Sequence, residues 1–106
     1  MSAPLAVDPA TAAQWLLAGA VVLDVREADE LVICQLAGAR HVPMGDIPGR
    51  LDELPRDRPL LVLCHHGARS LHVTRFLRGQ GFDQATNVAG GIDAWAREVD
   101  PTLARY

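Results

Sequence analysis

A three-layer α/β fold, with a mostly parallel central sheet flanked by helices, is predicted by three features of this chain. Short runs rich in Val and Leu alternate with segments whose apolar residues recur at helical spacing. Two of the runs, Val21 to Val25 and Leu60 to Leu63, lack the polar alternation of a half-exposed strand and suit strands covered on both faces. The 106 residues are 49% hydrophobic, enough for one core, and no repeat, low-complexity tract or linker divides them. One domain over residues 1–106 is therefore expected.

The elements follow in order. Asp8-Pro9 supplies a helix cap and a first-turn proline, and Ala12, Trp15, Leu16 and Gly19 then share one helical face, with Gly19 as the stop. Val21 to Val25 is a buried strand and Ala28 to Cys34 a short helix; within it, Leu31, Val32, Ile33 and Cys34 read as core. Arg40 to Pro43 is a short strand. Ile47, Leu51 and Leu54 repeat at helical spacing behind Asp46 and Pro48, which predicts a helix that Pro55 ends. Leu60 to Leu63 is the central strand, Ser70 to Gly81 a helix and Thr86 to Val88 a last strand. Ile92, Trp95 and Val99 form the apolar face of a final helix, entered by a tight turn at Gly90-Gly91.

Chemistry concentrates at the junction Cys64-His65-His66-Gly67-Ala68-Arg69-Ser70, which joins the central strand to a helix carrying Val73, Phe76 and Leu77 on one side. Beyond the carboxyl ends of parallel strands, side chains and free amides converge, and ligands bind there. The first amides of a helix have no internal acceptor and carry the positive end of the helix dipole, so they solvate an anion such as a thiolate. Gly67 permits a positive φ, which lets successive N–H groups turn inward as an anion nest. A cysteine ending a buried strand is also an ordinary small core residue; its surroundings favour a nucleophile here.

The loop Cys64 to Ser70 resembles the active-site loop of single-domain rhodaneses, which are sulfurtransferases. Leu23-Asp24-Val25-Arg26-Glu27 is similar to that family's second strand and its acidic exit, and Leu36 to Pro43 to the segment entering the third. Asn87 to Trp95 is similar to its closing strand and helix. Cys34-Gln35-Leu36 departs from the Gly-His-Ile that many members carry. The tail Ala94 to Tyr106 resembles rhodanese domains fused to adenylyltransferases. Four residues separate Cys64 from Arg69, one fewer than in the related phosphatase loops, and this spacing resembles the sulfurtransferase branch. The resemblance implies a double displacement. Cys64 takes a sulfane sulfur from a donor such as thiosulfate, holds it as a persulfide within the loop amides, and yields it to a thiophilic acceptor.

His65, His66, Gly67, Ala68, Arg69 and Ser70 are the expected substrate-binding residues. Arg69, planar and permanently charged, is suited to neutralise an anionic donor. One of the two adjacent histidines is expected to splay away into water. Asp24 and Arg26, leaving the second strand at the same sheet edge, are expected to brace the cysteine loop through its backbone or to add charge near the substrate. Cys34 reads as core rather than as a redox partner of Cys64.

Other classes are disfavoured. Net charge is −3 with both signs scattered, which argues against a nucleic-acid surface, and all ten cationic residues are arginine, which excludes lysine Schiff-base chemistry and a Walker-type phosphate loop. His41 and His72 lack metal-ligand spacing, so neither a metal nor a cofactor is implied. The apolar stretch Trp15 to Leu23 has no basic flank and is too short to span a bilayer, and two cysteines thirty positions apart are no disulfide framework. No membrane or nucleic-acid partner is expected, and the cytoplasm is the expected setting. The alternatives within the resemblance are a persulfide carrier serving a protein partner in sulfur-cofactor or tRNA thiolation pathways, and a non-catalytic interaction module. The retained Cys64 argues against the latter.

Overall fold

A computed structural model describes residues 3–106 and shows an all-parallel five-stranded sheet in the order β1-β5-β4-β2-β3. The strands are β1 (Ala6–Val7), β2 (Val21–Asp24), β3 (Arg40–His41), β4 (Leu60–Leu63) and β5 (Ala85–Val88). The helices are α1 (Pro9–Leu17), α2 (Ala28–Ile33), α3 (Ala68–Gly79) and α4 (Gly91–Glu98). Among the described residues, no helix is long and apolar enough to cross a membrane.

The central strand β4 explains the layering. Successive side chains of a strand point to opposite faces, and all four residues of β4 are buried. Leu60 and Val62 join Leu23, Val25, Ile47, Leu54, Val73, Leu77 and Phe82 beneath α3. Leu61 and Leu63 face the other way, into Val22, Ala12, Ile92 and Trp95 beneath α1 and α4. Each fully buried aliphatic side chain contributes about 1.5–3 kcal/mol, so β4 is the best-anchored strand of the sheet. Its carboxyl end is held accordingly. Val25 N–H donates to the Leu63 carbonyl at 3.0 Å, one residue beyond the paired strands.

The predicted helices form at both termini. The Asp8 carboxylate accepts from the Thr11 amide at 2.8 Å and caps α1, with Pro9 at its first position. Three expectations are corrected. The predicted helix behind Asp46 is instead two 3-10 segments, Met44–Gly49 and Leu51–Glu53, joined by i to i−3 bonds such as Arg50 N–H to Ile47 O at 3.1 Å. Pro48 has no N–H to donate and interrupts an α-helical ladder, while Ile47 and Leu54 are still delivered to the core. Val32 and Ile33 lie in solvent, at 87% and 46% exposure, and no residue of α2 is buried; Cys34, just after the helix, is the buried residue of that run. Phe76 likewise stands 36% exposed on α3.

Candidate active site

Cys64 continues the alternation of β4, so its side chain falls on the α3 side with Leu60 and Val62, and it is 1% exposed. There it meets the start of α3. Its Sγ accepts hydrogen bonds from the Gly67 amide at 3.1 Å and from the Ser70 hydroxyl at 3.2 Å. The Ser70 oxygen also contacts Asn87 Oδ1 on β5, and Asn87 Nδ2 donates to the Gly67 carbonyl at 3.2 Å. One hydroxyl proton serves one acceptor at a time. Ser70 therefore stands between two competing acceptors, the Cys64 sulfur and Asn87 Oδ1.

Two glycine turns shape the loop. Gly67 caps α3 at φ +102°, a left-handed conformation that side chains rarely adopt, and the first intrahelical bond runs from Leu71 N–H to Gly67 O at 3.1 Å. The amides of Ala68, Arg69 and Ser70 therefore have no acceptor inside the helix and form the positive end of its dipole beside the sulfur. From the other side, α4 clasps the loop. Ile92 N–H donates to Cys64 O at 2.8 Å and Asp93 N–H to His65 O at 3.1 Å. A Cβ on Gly91 would lie 2.4 Å from His65 O and 2.5 Å from Cys64 O, so the close approach requires glycine.

A chain of charges lines the rim. Both nitrogens of the Arg69 fork engage Glu30, at 2.7 and 2.9 Å, and the Tyr106 hydroxyl donates to Glu30 at 2.6 Å. Arg26 then donates to the Tyr106 oxygen at 2.9 Å and to the Cys34 carbonyl at 2.9 Å, and pairs with Asp24 at 2.7 Å. The Asp24 and Arg26 side chains are sealed from solvent, at 1% and 0% exposure. The Arg69 bonds hold the Glu30 carboxyl down at about 2 against the opposing effect of burial, with Tyr106 adding to the shift. Burial, then the Glu30 bond, pushes the Tyr106 phenol up to about 12, with Arg26 opposing. Burial works against the Arg26 charge, but the Asp24 and Tyr106 bonds outweigh it and hold the guanidinium above its ordinary value. Arg69 is raised chiefly by Glu30.

The two histidines do not splay. Their rings sit 3.8 Å apart, and the half-buried His65 stacks on Tyr106 at 3.7 Å and 4° while its Nε2 contacts the Tyr106 main-chain oxygen at 2.8 Å. His66 faces water as expected. Both come near Asp93, and these three could each offer an atom to a metal ion. Asp93 already accepts from Arg105 at 2.9 Å and faces Arg97 at 3.6 Å, and Arg105 is the main cause of its lowered pKa. The donor set thus reads as an ion-paired surface cluster.

Of the loop residues expected to bind substrate, Gly67 and Ser70 are buried and donate to the Cys64 sulfur, while His66 and Ala68 are exposed. Two roles change. Asp24 and Arg26 make no hydrogen bond to the loop backbone; their pair is consumed at the end of β2 and reaches the loop only through Tyr106 and Glu30. Arg69 is not a free cation but is occupied by Glu30. Glu30, Asn87 as the Ser70 partner, and Tyr106 were not singled out by sequence. No local signal marks them, since Tyr106 and Glu30 are 76 residues apart.

A buried cysteine at the carboxyl end of a central parallel strand, held in a short loop of amides at a helix start, defines a class of α/β proteins built around a cysteine anion site. Within that class the family is specific: residues 8–98 match the Rhodanese-like domain, and the chain belongs to this family. A sulfurtransferase of Allochromatium vinosum is 37% identical over 84 residues, covering 79% of this chain and 78% of that protein. The thiosulfate sulfurtransferase GlpE of Ectopseudomonas mendocina is 30% identical over 89 residues, covering 84% and 82%. The crystal structure of a rhodanese-related protein from Thermoplasma volcanium superposes with a TM-score of 0.81 at 31% identity, covering 89% of this chain and 92% of that one.

Proposed function

We propose that the protein is a rhodanese-type sulfurtransferase that carries a sulfane sulfur as a persulfide on Cys64, with a donor such as thiosulfate and a thiophilic acceptor. One observation carries the reading: the Cys64 sulfur ends β4 inside hydrogen bonds from the Gly67 amide and the Ser70 hydroxyl, at the start of α3. A site that supports a thiolate and then a persulfide anion one atom further out needs such donors and few competing charges. The naming of relatives as sulfurtransferases supports the same chemistry.

In the first half-reaction the Cys64 thiolate attacks the outer sulfur of thiosulfate. A new S–S bond forms as the bond to the sulfonate sulfur breaks, and sulfite leaves with the electron pair. The terminal persulfide sulfur, now anionic, is held by the amides of the loop and of the first turn of α3. Cyanide or a thiolate then attacks that sulfur, and Cys64 returns as thiolate. Ser70 turns its proton to the sulfur in each anionic state, and Asn87 takes it back when the sulfur is protonated. His65, under Tyr106, closes one side of the loop.

Thiocyanate release from thiosulfate and cyanide tests this reading. The wild-type chain is expected to turn over and Cys64→Ser to be inactive. Normal turnover in that variant would reject Cys64 as the sulfur carrier.

A further inference from the structure

Every arginine around the cysteine loop is matched by a carboxylate. Arg26 is locked to Asp24, Arg105 and Arg97 lie against Asp93, and Arg69, the one cation within the loop itself, is gripped by both oxygens of Glu30. Glu30 is in turn fixed by the Tyr106 hydroxyl, which Arg26 orients from behind. A multiply charged oxyanion entering this rim finds no unpaired arginine among these, and the Glu30 side chain that holds Arg69 keeps 18% of its surface open to solvent.

From this arrangement we infer that Glu30 determines donor selectivity, by occupying Arg69 and presenting negative charge at the rim, so that the site favours a small organic persulfide over dianionic thiosulfate. The inference rests on the persulfide chemistry proposed above and names the donor class for it. With this donor the Cys64 thiolate attacks the outer sulfur of R–S–SH. The new S–S bond forms as the R–S bond to that sulfur breaks, RS⁻ leaves with the electron pair, and the proton stays on the transferred sulfur. No second charge has to be neutralised, so Arg69 is not required as a counter-ion. The depth of the sulfur suits a small donor, since Cys64 is 1% exposed and Tyr106 stacks over His65 beside it. Glu30 remains ionised throughout the working pH range, because Arg69 and Tyr106 hold its carboxyl down at about 2.

Glu30→Gln tests the assignment, since it keeps the shape and removes the charge. Rates of Cys64 sulfuration are measured by intact mass with thiosulfate and with the persulfide of 2-mercaptoethanol, on wild type, Glu30→Gln and Tyr106→Phe. Melting curves for each verify folding. For the wild type the organic persulfide is expected to load faster. In Glu30→Gln the ratio of kcat/KM for thiosulfate to that for the organic persulfide is expected to rise about tenfold, as one unit of repulsion on a dianion is lifted and Arg69 is released. The rise should shrink as salt is added. Tyr106→Phe frees one side of Glu30 but leaves its charge, so its ratio should move less than that of Glu30→Gln. An unchanged or reduced ratio in a folded Glu30→Gln, with both donors loading Cys64, overturns the role of Glu30 and leaves the persulfide reading intact. If neither donor loads Cys64 in the wild type, both fall together.

Discussion

The clasp of α4 on the cysteine loop is tested by Gly91→Ala. Gly91 sits at φ +62°, and the added methyl would lie 2.4 and 2.5 Å from the carbonyl oxygens of His65 and Cys64, which are backbone atoms that cannot rotate away. An alanine in the left-handed region costs about 1–2 kcal/mol. Relieving the clash also pushes the loop off the helix end, at the expense of the Ile92 to Cys64 and Asp93 to His65 hydrogen bonds, each about 0.5–1.5 kcal/mol net. The variant should therefore lose about 2–5 kcal/mol, a fall in Tm of at least about 10 °C for a domain of this size. Thermal and urea melts measure this, with Gly45→Ala as the control. A Cβ at Gly45 meets nothing within 4 Å, so that variant should stay within about 0.5 kcal/mol of wild type. A Gly91→Ala protein melting within about 3 °C of wild type would refute the steric argument, and with it the claim that α4 fixes the loop.

Three further outcomes follow from the same geometry. Ser70→Ala removes a hydroxyl that is wholly buried between Cys64 and Asn87; a fall of about tenfold in kcat/KM, with the fold retained, is expected from one lost hydrogen bond to an anionic sulfur, and steady-state kinetics on the folded variant measures it. Arg26→Met leaves Asp24 buried without its partner, which should cost about 3–5 kcal/mol in a urea melt, whereas Arg58→Met, at an exposed pair, should cost almost nothing. The Glu30 network predicts a pH dependence. Its folded pKa of about 2 lies below the ordinary 4.5, so its stabilisation is complete above about pH 4.5 and is lost as pH falls toward 2. The stability gap between wild type and Glu30→Gln should be about 1–2 kcal/mol near neutrality, discounted for the third of Arg69 open to solvent, and should close across that acid window. A gap that does not change with pH would contradict the ion pair.

The part of the site that could be read in the sequence is the part built from contiguous residues. The run Leu60 to Leu63, the cysteine after it and the helix that follows lie within one strand-loop-helix unit, so their order along the chain is also their order in space. Gly90-Gly91 was readable as a tight turn for the same reason, although the backbone atoms that demand glycine belong to His65 and Cys64 on another element. Strand β1 escaped notice because two residues, Ala6 and Val7, give no periodicity; they pair as an edge only because β5 offers Asn87 and Val88. The 3-10 segments carried a helical pattern of Ile47, Leu51 and Leu54 that a proline then prevented from forming regular α-helix. The charge shell was the least legible. Arg69 was recognisable by its place in the loop, but its partner Glu30 comes from α2 and the orienting Tyr106 from the far end of the chain, and neither pairing leaves a mark in local sequence.

The central claim, that Cys64 carries transferable sulfur, is tested most directly by intact-protein mass after brief exposure to a sulfane-sulfur donor, thiosulfate or an organic persulfide, beside Cys64→Ser. The account predicts a gain of one sulfur atom on the wild-type chain that cyanide removes as thiocyanate, and no gain on the variant. An unmodified wild type with both donors, or an equal gain on Cys64→Ser, would contradict it.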